Sequence, residues 1–207
     1  VEDAAQVAVT ETTFADNHGY GLYVRIPEGP SAPATLLTQF SNNTFTDNER
    51  SLGIALARFP EITLATSSFS GGAIELLGTD VTQSLTLSDR AVPYFAEGDL
   101  RLVGSQGIDP PVVLTVNAGV TLRFATNARL LVGEGGGQAS LSINGAASNP
   151  VVLGLRPDAN QRWGGVRLHT GNNLLSDVWM LDLGVSTAAD DPAAAVVVDS
   201  PALLTFG

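Results

Sequence analysis

The chain is 207 residues long, 44% hydrophobic and only 15% charged, with no cysteine, so it has the apolar content for a sizeable core and no disulfide to hold it. Its 21 acidic residues outweigh 10 basic ones, all arginine, and the net charge of −11 excludes a broad basic footprint for nucleic acid or an anionic membrane. No apolar run approaches the length of a membrane-spanning helix.

The first zone, residues 1–87, contains a near-duplication. Thr13-Phe14-Ala15-Asp16-Asn17-His18-Gly19 returns as Thr44-Phe45-Thr46-Asp47-Asn48-Glu49-Arg50, and each copy leads into a second short strand. Asp and Asn tolerate left-handed backbone and bond their own main chain, so each copy reads as strand, sharp corner, strand. Self-similarity of this kind marks a solenoid of stacked coils. Strands are expected over 6–9, 20–26, 35–40, 51–57, 61–65 and 73–77, and the three prolines of 27–33 mark a projecting loop.

Stacking of equivalent coils predicts that Phe14 and Phe45 form an inward aromatic ladder, and that Asn17 and Asn48 satisfy one another's amides at a corner.

In the second zone, strands are expected at 94–102, 112–116, 120–124, 128–132, 139–143 and 150–153. Val120-Thr121-Leu122-Arg123-Phe124 is followed by Asn144-Gly145-Ala146-Ala147-Ser148-Asn149-Pro150 and then Trp163-Gly164-Gly165. These phrases, in this order, resemble right-handed parallel β-helix domains of secreted bacterial surface proteins in the pectin-lyase-like superfamily, over about residues 112–185. The resemblance implies an all-β, right-handed parallel β-helix without evident end caps. Coils of about 20 to 25 residues would give roughly nine of them. It also implies one β-helix domain over 1–207, with Phe-x-Asp-Asn coils at 1–87 and coils resembling the start of a β-helix at 88–207. Because the sequence opens at Val1 rather than Met, a processed form or a segment of a longer array is expected.

The superfamily includes polysaccharide lyases and hydrolases, which makes Asp177 and Asp182 near Trp179, with Arg167, the candidates for acid/base chemistry. The plainer reading makes Asp177 a turn residue and Asp182 a solvated strand position. Asp190, Asp191 and Asp199 are the candidate ligands for a hard cation such as Ca²⁺, although their spacing matches no defined calcium loop. Trp163 and Trp179 are candidates for sugar contact, against burial in the core. His18 and His169, the only histidines, lack a partner at metal or triad spacing and read as turn residues. Gly133-Glu134-Gly135-Gly136-Gly137 reads as a flexible turn, since no helix follows to supply a phosphate-binding N-terminus.

The third zone, 169–207, ends in a Val-rich strand and Leu203-Leu204-Thr205-Phe206, which in the resembling family lead into Phe-x-Asp-Asn coils like those at the beginning of this chain. Val7 and Val9 at one end, and Leu203, Leu204 and Phe206 at the other, are therefore expected to form assembly ends. The leading expectation is a non-enzymatic, extracellular structural or interaction β-helix. It would be a surface-protein segment or a fibre subunit whose partner is itself, head to tail, with no cofactor, nucleic acid or membrane insertion. The alternative is a polysaccharide-active enzyme or carbohydrate-binding module on the same scaffold.

Overall fold

A computed structural model of the chain describes residues 7–24, 37–56, 59, 62–78, 80–104, 111–183, 194–199 and 201–207. The loop expected at 27–33 and the aspartates 190 and 191 lie outside these residues. The fold consists of parallel β-solenoid coils in two compact units, Val1–Leu77 with Arg90–Pro93, and Gly78–Asp89 with Tyr94–Gly207.

In the first unit, β1 (Val7–Thr10), β2 (Thr13–Ala15) and β3 (Tyr20–Val24) make one turn, and β4 (Leu37–Ser41), β5 (Thr44–Thr46) and β6 (Arg50–Ala55) make the next. A 3₁₀ turn at Leu64–Thr66, β7 (Ser68–Ser70) and β8 (Ile74–Leu77) follow. Each strand pairs in parallel with its counterpart one turn on, β1 with β4, β2 with β5 and β5 with β7, and β3 with β6 and β6 with β8. The strand expected at 61–65 is replaced by the 3₁₀ turn, closed by Ser67 N–H donating to Leu64 O at 3.0 Å.

The corner after β2 and its equivalents needs left-handed backbone, and φ is +56° at Asp16, +51° at Asp47 and +80° at Gly71. Asp and Gly are the residue types that accept this conformation at least cost. Phe14, Phe45 and Phe69 are in register, with ring centroids 4.9 Å apart at both steps. This matches the spacing of adjacent parallel strands. Phe45 is fully buried and Phe14 half-buried. At the corner, Asn17 Nδ2 donates to Asn48 Oδ1 at 2.6 Å, and Asn48 Nδ2 donates to Phe14 O at 2.9 Å. A second buried amide, Asn43, accepts from Thr12 N–H and donates to Val9 O.

The second unit opens with β9 (Asp80–Val81), β10 (Leu85–Leu87) and β11 (Tyr94–Ala96), then β12 (Leu100–Leu102), β13 (Val112–Asn117) and β14 (Thr121–Phe124). It continues with β15 (Leu130–Val132), β16 (Ala139–Asn144), β17 (Val151–Leu155), β18 (Val166–Leu168), β19 (Asn172–Ser176) and β20 (Val178–Met180), and closes with β21 (Val196–Val198) and β22 (Leu203–Phe206). Every third strand stacks, giving the sheets β9-β12-β15-β18-β21 and β10-β13-β16-β19-β22, with β11-β14-β17-β20 as the third.

Alternating inward side chains form continuous columns. Val81, Leu102, Val132 and Leu168 are one buried column, and Leu87, Val116, Ile143 and Leu175 another. Sequence separations between stacked positions run from 21 residues, Asp80 to Arg101, to 36, Leu130 to Val166, and are mostly wider than the expected 20 to 25. The described strands accordingly complete about six turns, fewer than the nine expected.

Candidate functional surfaces

The outer face of β11-β14-β17-β20 presents two rows. Thr121, Val152 and Trp179 are in register along one, and Arg123 lies opposite Gly154 in the other. A Cβ at Gly154 would meet Arg123 Nη1 at 2.7 Å, so glycine there leaves room for the guanidinium to lie across the strand. Arg123 Nη1 donates to Leu155 O at 3.4 Å and approaches Asp182 Oδ2 at 3.9 Å. Trp179 is 59% exposed and Leu181 is also exposed. Nearby, the Arg156 guanidinium lies 5.0 Å from the Phe95 ring centroid and donates to both carboxylate oxygens of Asp158, a cation–π and bidentate arrangement that orients it. An open depression beside Asp182 is lined by Asn160, Gln161, Arg162 and Met180.

The acid/base candidates Asp177, Asp182 and Arg167 are divided between two sheets. Asp177 (φ +43°) and Asp182 (φ +57°) are left-handed residues flanking opposite ends of β20. Asp177 serves its corner, its carbonyl accepting from Val151 N–H at 3.0 Å. Arg167 belongs to β18 in another sheet and donates from Nε to Asp199 Oδ2 at 2.9 Å. His169 Nδ1 lies 3.0 Å from the same oxygen. Asp199 is thereby committed to an ion-pair cluster. The Arg167 hydrogen bond, reinforced by the charges of Arg167 and His169, holds its carboxyl below the usual carboxylate range against the opposing effect of partial burial. In the same sheet, Asp80 pairs with Arg101 and raises the arginine's pKa, chiefly through their hydrogen bond. Among the described residues, no three potential metal-ligating side chains come together.

The two tryptophans have opposite fates. Trp163 is fully buried, stacked at 4.7 Å on Phe124, with its indole N–H donating to Leu181 O, so it is unavailable for sugar contact. His18 borders an open acidic corner with Asp16, Asp47 and Glu49. Residues Glu134–Gly136 form a 3₁₀ turn with left-handed glycines, too short to act as a helix N-terminus.

One cluster has no counterpart among the sequence expectations. Tyr23, Gly53 and Glu75 are in register on β3, β6 and β8. Tyr20 and Tyr23 pack their rings over Gly53, with centroids 4.7 Å apart. Glu75 is buried, its carboxylate accepting from the Tyr20 hydroxyl and lying 3.7 Å from Arg50 Nε. Gly53 between Leu52 and Ile54 was the available signal, since glycine inside a strand marks a close approach.

Val7 is 44% exposed opposite buried Leu37, whereas Val9 is buried opposite Phe40. In the last turn, Leu203 is exposed opposite Asn172, Leu204 lies opposite buried Asn173, and Phe206 is 73% exposed opposite Leu175. Asn173 Nδ2 donates to Leu203 O at 3.0 Å, fastening β22 to β19.

These features define a parallel β-solenoid with polar corner ladders and an apolar interior. Comparison with known protein families, curated proteins and solved structures finds no match to the chain.

Proposed function

We propose that this chain is a non-enzymatic structural or interaction solenoid, a right-handed β-helix segment of an extracellular surface protein or stacking fibre. The right hand is the one that parallel crossovers overwhelmingly take. The observation that carries the scaffold reading is the unbroken apolar interior, with Val81, Leu102, Val132 and Leu168 in one buried column and Leu87, Val116, Ile143 and Leu175 in another through successive turns. The acidic, cysteine-free composition is compatible with an extracellular setting.

A second reading, polysaccharide binding, is favoured by exposed Trp179 on the face that carries the Arg123–Asp182 pair. Incubation with polyuronates and neutral glycans, read by titration calorimetry and by assay of new reducing or unsaturated ends, separates the two. The scaffold reading expects no bond cleavage, and release of either product overturns it. Glycan binding that disappears in Trp179→Ala would establish the second reading.

A further inference from the structure

We infer that Asn42 is an acceptor for N-linked glycan, its side-chain nitrogen receiving an oligosaccharide from a lipid pyrophosphate carrier. The inference rests on the extracellular setting proposed above and adds a modification site to it. Asn42-Asn43-Thr44 is the one Asn-x-Ser/Thr triplet in the 207 residues, and its middle residue is not proline. Such triplets recur by chance, so the fold around this one decides whether it can carry a glycan.

The fold separates the three residues by role. Asn42 is exposed, in the corner between β4 and β5, with left-handed φ of +55°. The corner draws on its main chain, whose N–H donates to Thr66 Oγ1 at 3.2 Å. Asn43, by contrast, is 1% exposed, its amide accepting from Thr12 N–H and donating to Val9 O. Thr44 lies within β5, between Thr13 and Ser68. One turn earlier, Glu11 N–H donates to Ser41 O, and both Glu11 and Thr66 are exposed. Asn42 therefore stands on an outward polar ridge of the first unit, where a bulky hydrated substituent displaces no core side chain.

In the transfer, Asn42 Nδ2 attacks the anomeric carbon of the lipid-linked oligosaccharide. A C–N bond forms as the C–O bond to pyrophosphate breaks; the lipid pyrophosphate leaves with the electron pair, and the amide gives one proton to a base of the transferase. Transfer precedes folding, so the later burial of Asn43 does not obstruct it. Burial of Asn42 in the finished coil would have excluded the product.

The test is translation of the chain behind a cleavable signal peptide with endoplasmic-reticulum microsomes, scored on protease-protected product by gel mobility and intact mass. The mass increment of one glycan is expected on the parent, removable by a peptide amidase that leaves aspartate in place of the asparagine. Asn42→Gln and Thr44→Ala should each abolish the increment, and Thr44→Ser, which keeps the hydroxyl, should retain it. Protected parent chain without the increment, or an increment that survives Asn42→Gln, overturns the inference. Neither result bears on cleavage of added glycans, the outcome that would overturn the scaffold reading.

Discussion

The rings of Phe45 and Phe69 stack at 4.9 Å and within 5° of parallel, although Phe69 is followed by Ser70, Gly71 and Gly72 rather than by an Asp-Asn corner. Register rather than motif places Phe69. Thr44 lies opposite Ser68, and Gly71 meets the same left-handed requirement that Asp16 and Asp47 meet in the turns before it.

Phe45 has a ring on either side and no exposed surface, so Phe45→Ala leaves a cavity at the centre of the stack. A loss of about 3 to 5 kcal/mol is expected in urea melts. His18→Ala, at an open corner, should change stability by less than about 0.5 kcal/mol. The reverse ranking would contradict the assignment of both residues.

The corner glycines divide by conformation and space. Gly72 has φ +71°, and a Cβ there would lie 2.3 Å from Asn48 O, a backbone atom that cannot step aside without moving the corner. Gly72→Ala should cost more than the roughly 1 to 2 kcal/mol of left-handed backbone alone. A Cβ added at Gly19 would meet nothing within 4 Å, so Gly19→Ala should be close to neutral. Thermal melts of the two variants, compared side by side, check the difference.

Asp199 ties β21 to β18 through Arg167, and its folded-state pKa is depressed. Its stabilising contribution is therefore fully present above the unfolded carboxylate value of about 3.9, and it is lost as pH falls through the lower folded value. Asp199→Asn should lower stability at pH 7 and flatten the acid limb of the stability curve. Amide exchange at Val196–Val198, followed as the pH is lowered from 7, should show faster opening in the variant at pH 7 and a difference from the parent that narrows only below the unfolded carboxylate value of about 3.9. An unchanged acid limb would remove Asp199 from the account of acid lability.

The sequence by itself determined the coil. Alternating apolar residues, the repeated Phe-x-Asp-Asn phrase and the scarcity of helical spacing are local signals, and the left-handed corner at Asp16 and Asp47 follows from residue sterics alone. The tertiary structure decided which positions face the core and which distant residues meet. Trp163 and Trp179 are both lone tryptophans in sequence, yet Trp163, between strands, is sealed against Phe124 with its indole N–H on Leu181 O, while Trp179 points outward from β20 into solvent. Arg167 meets Asp199 rather than Asp177 or Asp182, and Glu75 disappears beneath Tyr20 and Arg50. Partners in a solenoid are one turn apart, and turn length is set by corner segments whose residue count varies from coil to coil without leaving a periodic trace in the chain.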